Sequence, residues 1–594
     1  MGKKTIATQM KILGFCIKFS FEASRTFTIL RFVLEMAISS LPLISMFCSK
    51  IIVNNLAYNA KDSIRQTIAL ILFTSMLLIL NSGLGTVRGY FAQCHNDKLD
   101  LIISKKKFEK SVSIDLAYFD SSKYYNELVN ATTNASSISA TVWNFYSMLG
   151  VFIKTVSLFV IFTRYSILLA ILLVLFSIPC AVIENRHKNK LLSFQKQLTP
   201  LNRRLGYTSS IFTDRTCATE MRVNRMEEYM YEQFEKDWEL RFNESKNITA
   251  KHGKRSFLVS NMPQLVIIVT TVFLAVKVCG SDMLIGDYTY ITGTAQQLLS
   301  SVILLIGSYA RYQDGINRAK DFVDFLDMES QVIDEGTLTL DPNIVHKVSF
   351  TNVSFKYPGT DRIILRDVNF SFSTKDRIAL VGQNGSGKTT IVKLLLRLYD
   401  VDSGSITIDG IDIKKYKLTE VRKFYGLMQQ NFNKYSFTLK DNIALSSPDF
   451  KDDTQRILMA IKNADAEGVL EKVGGLDTYL TRIYDEKGVE LSGGEWQKIA
   501  LARCFFKNAP FLVLDEPSAS IDAKSEHELF ENISKTLCNR GLLLISHRLS
   551  NIKNSDHIFV LDEASIVENG THDELMENKK LYFEMYSLQL EKYL

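Results

Sequence analysis

At 594 residues with a net charge of +6, the chain is too long for a single ordinary core, so at least two domains are expected. Its mean hydropathy of +0.03 hides an uneven distribution, because nearly all long apolar runs lie before about residue 310. The eight cysteines are scattered and form no CxxC pair, which excludes a zinc ribbon or a disulfide framework as the organising principle.

In chain order, Ile6 to Phe21 reads as an amphipathic helix lying on the inner membrane face, without the small-residue pattern of a cleaved signal. Two runs free of charge follow, Ala69 to Leu80 and Ile167 to Ile178, and with their flanks each reaches about 20 residues, enough to cross hydrocarbon. Less pure candidates are 27–52, 138–162, 257–278 and 288–312, giving six expected spans. Arg31, Glu35, Lys154 and Lys277 fall in or near them, where a charge prefers a bundle interior, a wet cavity or a helix end. Basic clusters follow the second span (Lys98, Lys105, Lys106, Lys107, Lys110) and the fourth (Arg186, Lys188, Lys190, Lys196, Arg203, Arg204). The positive-inside bias then puts both termini and the two long connections in the cytoplasm. These clusters are accounted for by topology, so no nucleic-acid partner is indicated.

After the last span, Arg311 to Ser330 reads as a helix continuing from the membrane, and "DEGTLTLDPNIVHK" as a polar linker. The expected division is a six-span domain over 1–325, a linker over 326–343 and a nucleotide-binding domain over 344–594. The last begins with the strand-like alternation of "VSFTNVSFKYP". The fold class expected is thus an all-α six-helix membrane domain fused to an α/β P-loop ATPase cassette.

Gly382 to Thr389, "GQNGSGKT", is a complete phosphate-loop pattern between the apolar strand "IALV" and an apolar-rich helix. Its glycines let backbone N–H groups wrap phosphates, Lys388 offers a point charge to the β/γ-phosphates, and Thr389 offers a hydroxyl to Mg²⁺. "FLVLDEP" is an apolar strand ending in Asp515 and Glu516, placed to hold Mg²⁺ and to polarise an attacking water. A further strand, "LLLIS", leads to His547. "GVELSGGEWQKIALAR" places Ser492, Gly493 and Gly494 ahead of a helix, which reads as a simple cap or as an anion site.

Together these pieces resemble the ATP-binding cassette (ABC) exporters in which six spans precede one cassette, and the resemblance covers essentially the whole chain. It implies an ATP hydrolase coupled to alternating-access transport, with ATP and Mg²⁺ as cofactors. Tyr357 resembles the aromatic that stacks on adenine. Gly382, Gln383, Asn384, Gly385, Ser386, Gly387, Lys388, Thr389 and Thr390 correspond to the phosphate loop. Gln430, favoured over its neighbour Gln429 by the spacing to Thr438 and Asn442, resembles the glutamine that touches Mg²⁺ and senses the membrane domain.

By the same resemblance, Ser492, Gly493 and Gly494 close on ATP held by the other subunit. Thr389, Gln430 and Asp515 hold Mg²⁺, Glu516 is the general base, Asp522 a dimer contact and His547 the switch histidine. A homodimer is the simpler implication, with a heterodimer open. Tyr118 to Ala131 and Phe212 to Asn224 resemble the short helices that press on the cassettes. The chain departs from the family at Glu495, often glutamine, and at Asp485, commonly glycine.

"GEWQK" and "NFNKY" resemble the bacterial branch that exports ribosomally made or modified peptides such as lantibiotics, here without a peptidase domain. A multidrug or lipid exporter is the alternative, followed by a non-transporting membrane ATPase that senses a ligand. The location implied is the bacterial plasma membrane, with the cassette cytoplasmic.

Overall fold

The computed structural model describes residues 3–58, 64–120, 122–215, 217–280, 283–517, 530–531, 533, 540–546 and 548–591. It forms two compact units, one of Met1–Val112 with Asn126–Met328, the other of Ser113–Tyr125 with Glu329–Leu594.

The helices before the cassette are α1 (Lys3–Ala23), α2 (Arg25–Tyr58), α3 (Ile64–Ser113), α4 (Ala117–Asp120), α5 (Ser122–Asn134) and α6 (Ser137–Thr163). They continue as α7 (Ile167–Gln197), α8 (Thr199–Thr213), α9 (Ala218–Val223), α10 (Glu227–Ser260), α11 (Met262–Cys279) and α12 (Ile285–Leu326). Among the described residues α2, α3, α6 and α12 are long and apolar enough to cross a membrane, and α7 and α11 carry the shorter apolar stretches Ile167–Pro179 and Gln264–Cys279. These six helices coincide with the apolar runs of the sequence. At 42 residues α12 is about 63 Å long, twice the hydrocarbon thickness, so it extends well beyond any span.

A cluster of Leu158, Phe162, Leu173, Leu274, Leu298 and Leu299 joins α6, α7, α11 and α12. Buried hydroxyls along these helices return a hydrogen bond to their own backbone, as Ser177 does to Leu173 O, Thr270 to Val266 O and Thr294 to Tyr290 O, each at 2.7 Å. That local bond removes the cost of carrying a polar group in an apolar span. Charges are satisfied differently. Glu35 pairs with Arg88 at 3.0 Å, while the Arg31 guanidinium lies 3.2 Å over the Trp143 ring and donates to Asn96 Oδ1 at 3.1 Å. Lys277 sits near a helix end, its ammonium 5.2 Å over the Phe273 ring.

The second unit holds two sheets. Strands β1 (Lys347–Lys356), β2 (Ile363–Ser373), β4 (Ser403–Ile408) and β5 (Ile411–Asp412) form an antiparallel sheet in the order β2-β1-β4-β5. Strands β3 (Arg377–Gly382), β6 (Tyr425–Met428), β7 (Phe511–Asp515), β8 (Gly541–Ile545), β9 (His557–Asp562) and β10 (Ser565–Gly570) form the other, in the order β10-β9-β3-β8-β7-β6. Within it β9, β3, β8, β7 and β6 run parallel. Its strands read as continuous apolar runs because both faces are covered. Ala379, Val381, Leu512, Leu514 and Leu544 pack toward Ile457, Ile461 and Ile499 on one face. Ile378, Leu380, Val513, Leu543 and Ile545 pack toward Ile391, Leu395 and the antiparallel sheet on the other.

The expected division at 325 and 343 cuts the chain linearly, whereas the second unit takes in Ser113–Tyr125 as well. The cause is a set of polar ties. The Asp115 carboxylate accepts from Ser330 Oγ, from the Gln331 amide and from the Val332 amide at 3.4 Å. Asp120 accepts from the Tyr399 hydroxyl and lies 3.6 Å from Lys393. Ala117 is buried in the same core as β1 and β2.

At Gly541, where β8 begins, a Cβ would lie 2.3 Å from Thr374 O and 2.4 Å from the Phe511 ring. Gly541→Ala is therefore expected to destabilise the second unit by about 1–3 kcal/mol, read as a lower Tm.

Candidate active site

Parallel register sets the site. Leu380 pairs with Ile545 and Ile545 with Asp515, so the C-terminal ends of β3, β8 and β7 share one edge of the sheet. The phosphate loop leaves β3 there and feeds α13 (Lys388–Leu395).

Two of its glycines are dictated by geometry. Gly382, at φ +153°, would set a Cβ 2.2 Å from Leu561 O, and Gly387, at φ +109°, would set one 2.8 Å from Leu365. Neither position admits a side chain.

A cleft of about 440 Å³ opens at this edge, lined by Tyr357, Asn384, Gly385, Gly387, Lys388, Thr389, Thr390, Gln430, Asp515 and Glu516, together with Arg362 and Ile364. Lys388 is buried, and its ammonium donates to Gly382 O and Gln383 O at 2.9 Å each. Burial pulls its pKa below the ordinary lysine value, while Glu516 and Asp515 pull it back up. Each such bond to a charged group contributes about 1.5–3 kcal/mol, set against a burial cost of several kcal/mol. The Ser386 hydroxyl is buried in the loop with no protein partner among the described residues, a polar atom for which a phosphate oxygen is a fitting acceptor.

Thr389 Oγ1 donates to Asp515 Oδ2 at 3.1 Å, and Gln430 Nε2 donates to Glu516 Oε2 at 2.7 Å. The groups expected around a metal and a water are thus already paired with one another. Glu516 has φ +52°, left-handed backbone that is uncommon outside glycine, and its amide is held by Ile545 O at 2.9 Å. Tyr357 Oη and Thr390 Oγ1 are 3.0 Å apart, and the Lys393 ammonium lies 4.9 Å over the Tyr357 ring.

Ser492, Gly493 and Gly494 do not line this cleft. They open α18 (Gly493–Phe506), after α14 (Leu418–Phe424), α15 (Leu439–Ala444), α16 (Thr454–Asn463) and α17 (Glu467–Val473). Ser492 caps α18 in a reciprocal box with Glu495, so the plain capping reading is physically realised. Arg503 of α18 donates to Asn442 O at 2.9 Å, fixing this helix against the segment after Gln430. Asp485 caps a turn through the Lys487 amide at 2.9 Å, a role open to a side chain that glycine lacks. Asp522 and His547 lie outside the described residues. Sequence reasoning missed Arg362, a lone exposed cation in a loop with no pattern to mark it.

Residues 365–519 match the family model described as "ABC transporter". The structure resembles that of a bacterial Atm1-family ABC exporter with ATP bound, at a TM-score of 0.81 and 22% identity, covering 95% of this chain and 99% of that one. The chain has the fold of an ABC exporter.

Among curated proteins it is similar to ATP-dependent lipid A-core flippases. That of Alcanivorax borkumensis is 35% identical over 318 residues, so the match spans about half (53%) of either chain. Those of Sodalis glossinidius and Escherichia coli K12 are 29% and 28% identical over 86% of this chain and 87% of theirs. The ABC exporter fold is that expected from the six runs and the cassette motifs, and the cassette is an ATP-binding domain.

On the expectation that the Tyr357 ring stacks on the base, Tyr357→Ala should raise the KM for ATP about tenfold by removing about 1–3 kcal/mol, with kcat changed less. Steady-state ATPase kinetics check this.

Proposed function

We propose that this chain is an ATP-driven exporter of an amphipathic lipid, working as a homodimer in a bacterial plasma membrane with its cassette and both termini cytoplasmic. ATP hydrolysis coupled to export follows from the cassette and the exporter fold. The observation that carries the choice of lipid is the flippase relatedness over 86% of the chain. The expected peptide-exporting branch rests on "GEWQK" and "NFNKY" alone, and the long matches go to lipid flippases instead. Those short stretches lie on the cassette, which contacts nucleotide and not cargo, so they are poor witnesses to the substrate.

In this reading Lys388 turns from its two carbonyls to the β/γ-phosphates, and the loop amides and Ser386 surround them. Thr389, Asp515 and the Gln430 side-chain oxygen are hard oxygen donors suited to Mg²⁺, which supplies charge neutralisation on the phosphates. Glu516, released from Gln430, orients water and accepts its proton. Ser492, Gly493 and Gly494 offer the helix N-terminus to nucleotide held by a second copy, so that ATP bridges two chains. Asp522 and His547 are assigned by resemblance as the dimer contact and the switch histidine. Asp120 ties the first long connection to the cassette at Tyr399, and Asp115 ties it to the linker at Ser330 and Gln331.

Glu516→Gln is expected to keep ATP binding while lowering turnover by about 10² or more, and chelation of Mg²⁺ by EDTA to abolish turnover, both read by phosphate release. The cargo assignment is tested in nanodiscs with Glu516→Gln as the blank. Saturable ATPase stimulation by lipid A-type lipids and not by leader-bearing modified peptides is expected. Stimulation by the peptides alone would return the chain to the peptide branch.

A further inference from the structure

Helix α18 carries a carboxylate in its first turn, where a neutral glutamine would serve the cap equally well. Glu495 Oε2 accepts from the Ser492 amide at 2.7 Å, and the Glu495 amide donates to Ser492 Oγ at 3.3 Å. Glutamine can make both bonds. The difference is one negative charge at a helix N-terminus that, in the reading above, must receive the phosphate of a second copy's ATP. Glu490 lies two residues before the Ser492 cap, outside that turn.

Lys472, at the end of α17, answers that charge. Its ammonium lies 2.8 and 2.9 Å from the two Glu495 oxygens and 3.4 Å from Glu490 O. Burial pushes the Glu495 carboxyl up, and Lys472 together with the Ser492 donors outweighs it, leaving the pKa below the ordinary glutamate value. The carboxylate is therefore ionised at neutral pH. The other cation at the start of α18 is already engaged, since Lys498 pairs with Asp465 at 2.6 Å. The Lys472 side chain is 43% exposed and that of Glu495 26%, so the pair itself adds little to stability. Its effect falls on an incoming anion.

We propose that Lys472 is a positioning residue for ATP turnover, neutralising Glu495 so that the first turn of α18 presents its amides to the partner copy's nucleotide without a net negative charge. This rests on the reading that Ser492, Gly493 and Gly494 face that nucleotide. A purely structural Lys472 would act through Glu490 O and would be indifferent to the charge on Glu495.

The test is steady-state ATPase of the full chain in nanodiscs for Lys472→Met, Glu495→Gln, the double variant and Ser492→Arg, with Tm recorded for each. Lys472→Met is expected to lower kcat/KM for ATP about fivefold, the scale of one uncompensated charge at a helix N-terminus. The loss should shrink as salt is raised. In the Glu495→Gln background the same substitution should cost less than about twofold, since the charge it balances is gone. Lys472→Arg should retain turnover, and Lys472→Gln replaces Lys472→Met if the latter does not fold. An undiminished loss in the Glu495→Gln background, or a silent Lys472→Met, overturns the proposal; if Ser492→Arg then abolishes turnover, the reading of the α18 site stands without it. Unchanged turnover in Ser492→Arg overturns that reading and the proposal with it.

Discussion

The cleft depends on one constraint, the in-register parallel pairing of β3, β8 and β7. Because Leu380, Ile545 and Asp515 stand on one line, the phosphate loop and the carboxylates emerge at the same edge, although more than a hundred residues separate them in sequence. Side chains alternate between two buried faces along each strand. A slip of one residue in β7 would therefore exchange the sets facing the two cores and carry Asp515 to the wrong side. Packing on both faces thus enforces the position of a carboxylate that contributes nothing to packing itself.

The same edge concentrates opposing charges in a small volume. Burial pulls the Lys388 pKa down, the nearby carboxylates pull it back up, and its ammonium donates to two carbonyls. Glu516 sits in left-handed backbone, a cost that the neighbouring strands must hold in place. Among the described residues, and apart from the Ser386 hydroxyl, the cleft's ammonium, hydroxyl, amide and carboxylate groups are paired within the protein: Lys388 to carbonyls, Thr389 to Asp515, Gln430 to Glu516. Ligand binding is then in part an exchange of partners, in which groups already paired within the protein turn to the phosphates and the metal.

The phosphate loop, the carboxylate pair and the apolar helices were legible in the sequence because each is local. A strand, a glycine-rich loop and a helix are consecutive, and an apolar run declares its own length. The ambiguity between Gln429 and Gln430 was also local in origin, and the structure lines the cleft with Gln430. What the sequence could not show were pairings across long separations. Arg362 reaches the cleft from a loop, Asp115 and Asp120 reach the cassette from the first connection, and Lys472 meets Glu495 from another helix. None has a periodic or motif signature, because charged surface residues are common and only tertiary structure selects the few that matter. The short stretches behind the peptide expectation lie on the cassette and carry no direct information on cargo, whereas the long matches are to proteins named lipid A-core flippases.

The inclusion of Ser113–Tyr125 in the second unit bears on how the chain is made. A polypeptide emerges in order, so this segment leaves the ribosome before residues 126–328 and long before the strands it packs among. The amides of Gln331 and Val332 and the core around Ala117 stay open until the early segment docks. The second unit is thus completed by a segment made earlier, and a cassette synthesised without it would leave the Gln331 and Val332 amides and the core face around Ala117 without these partners.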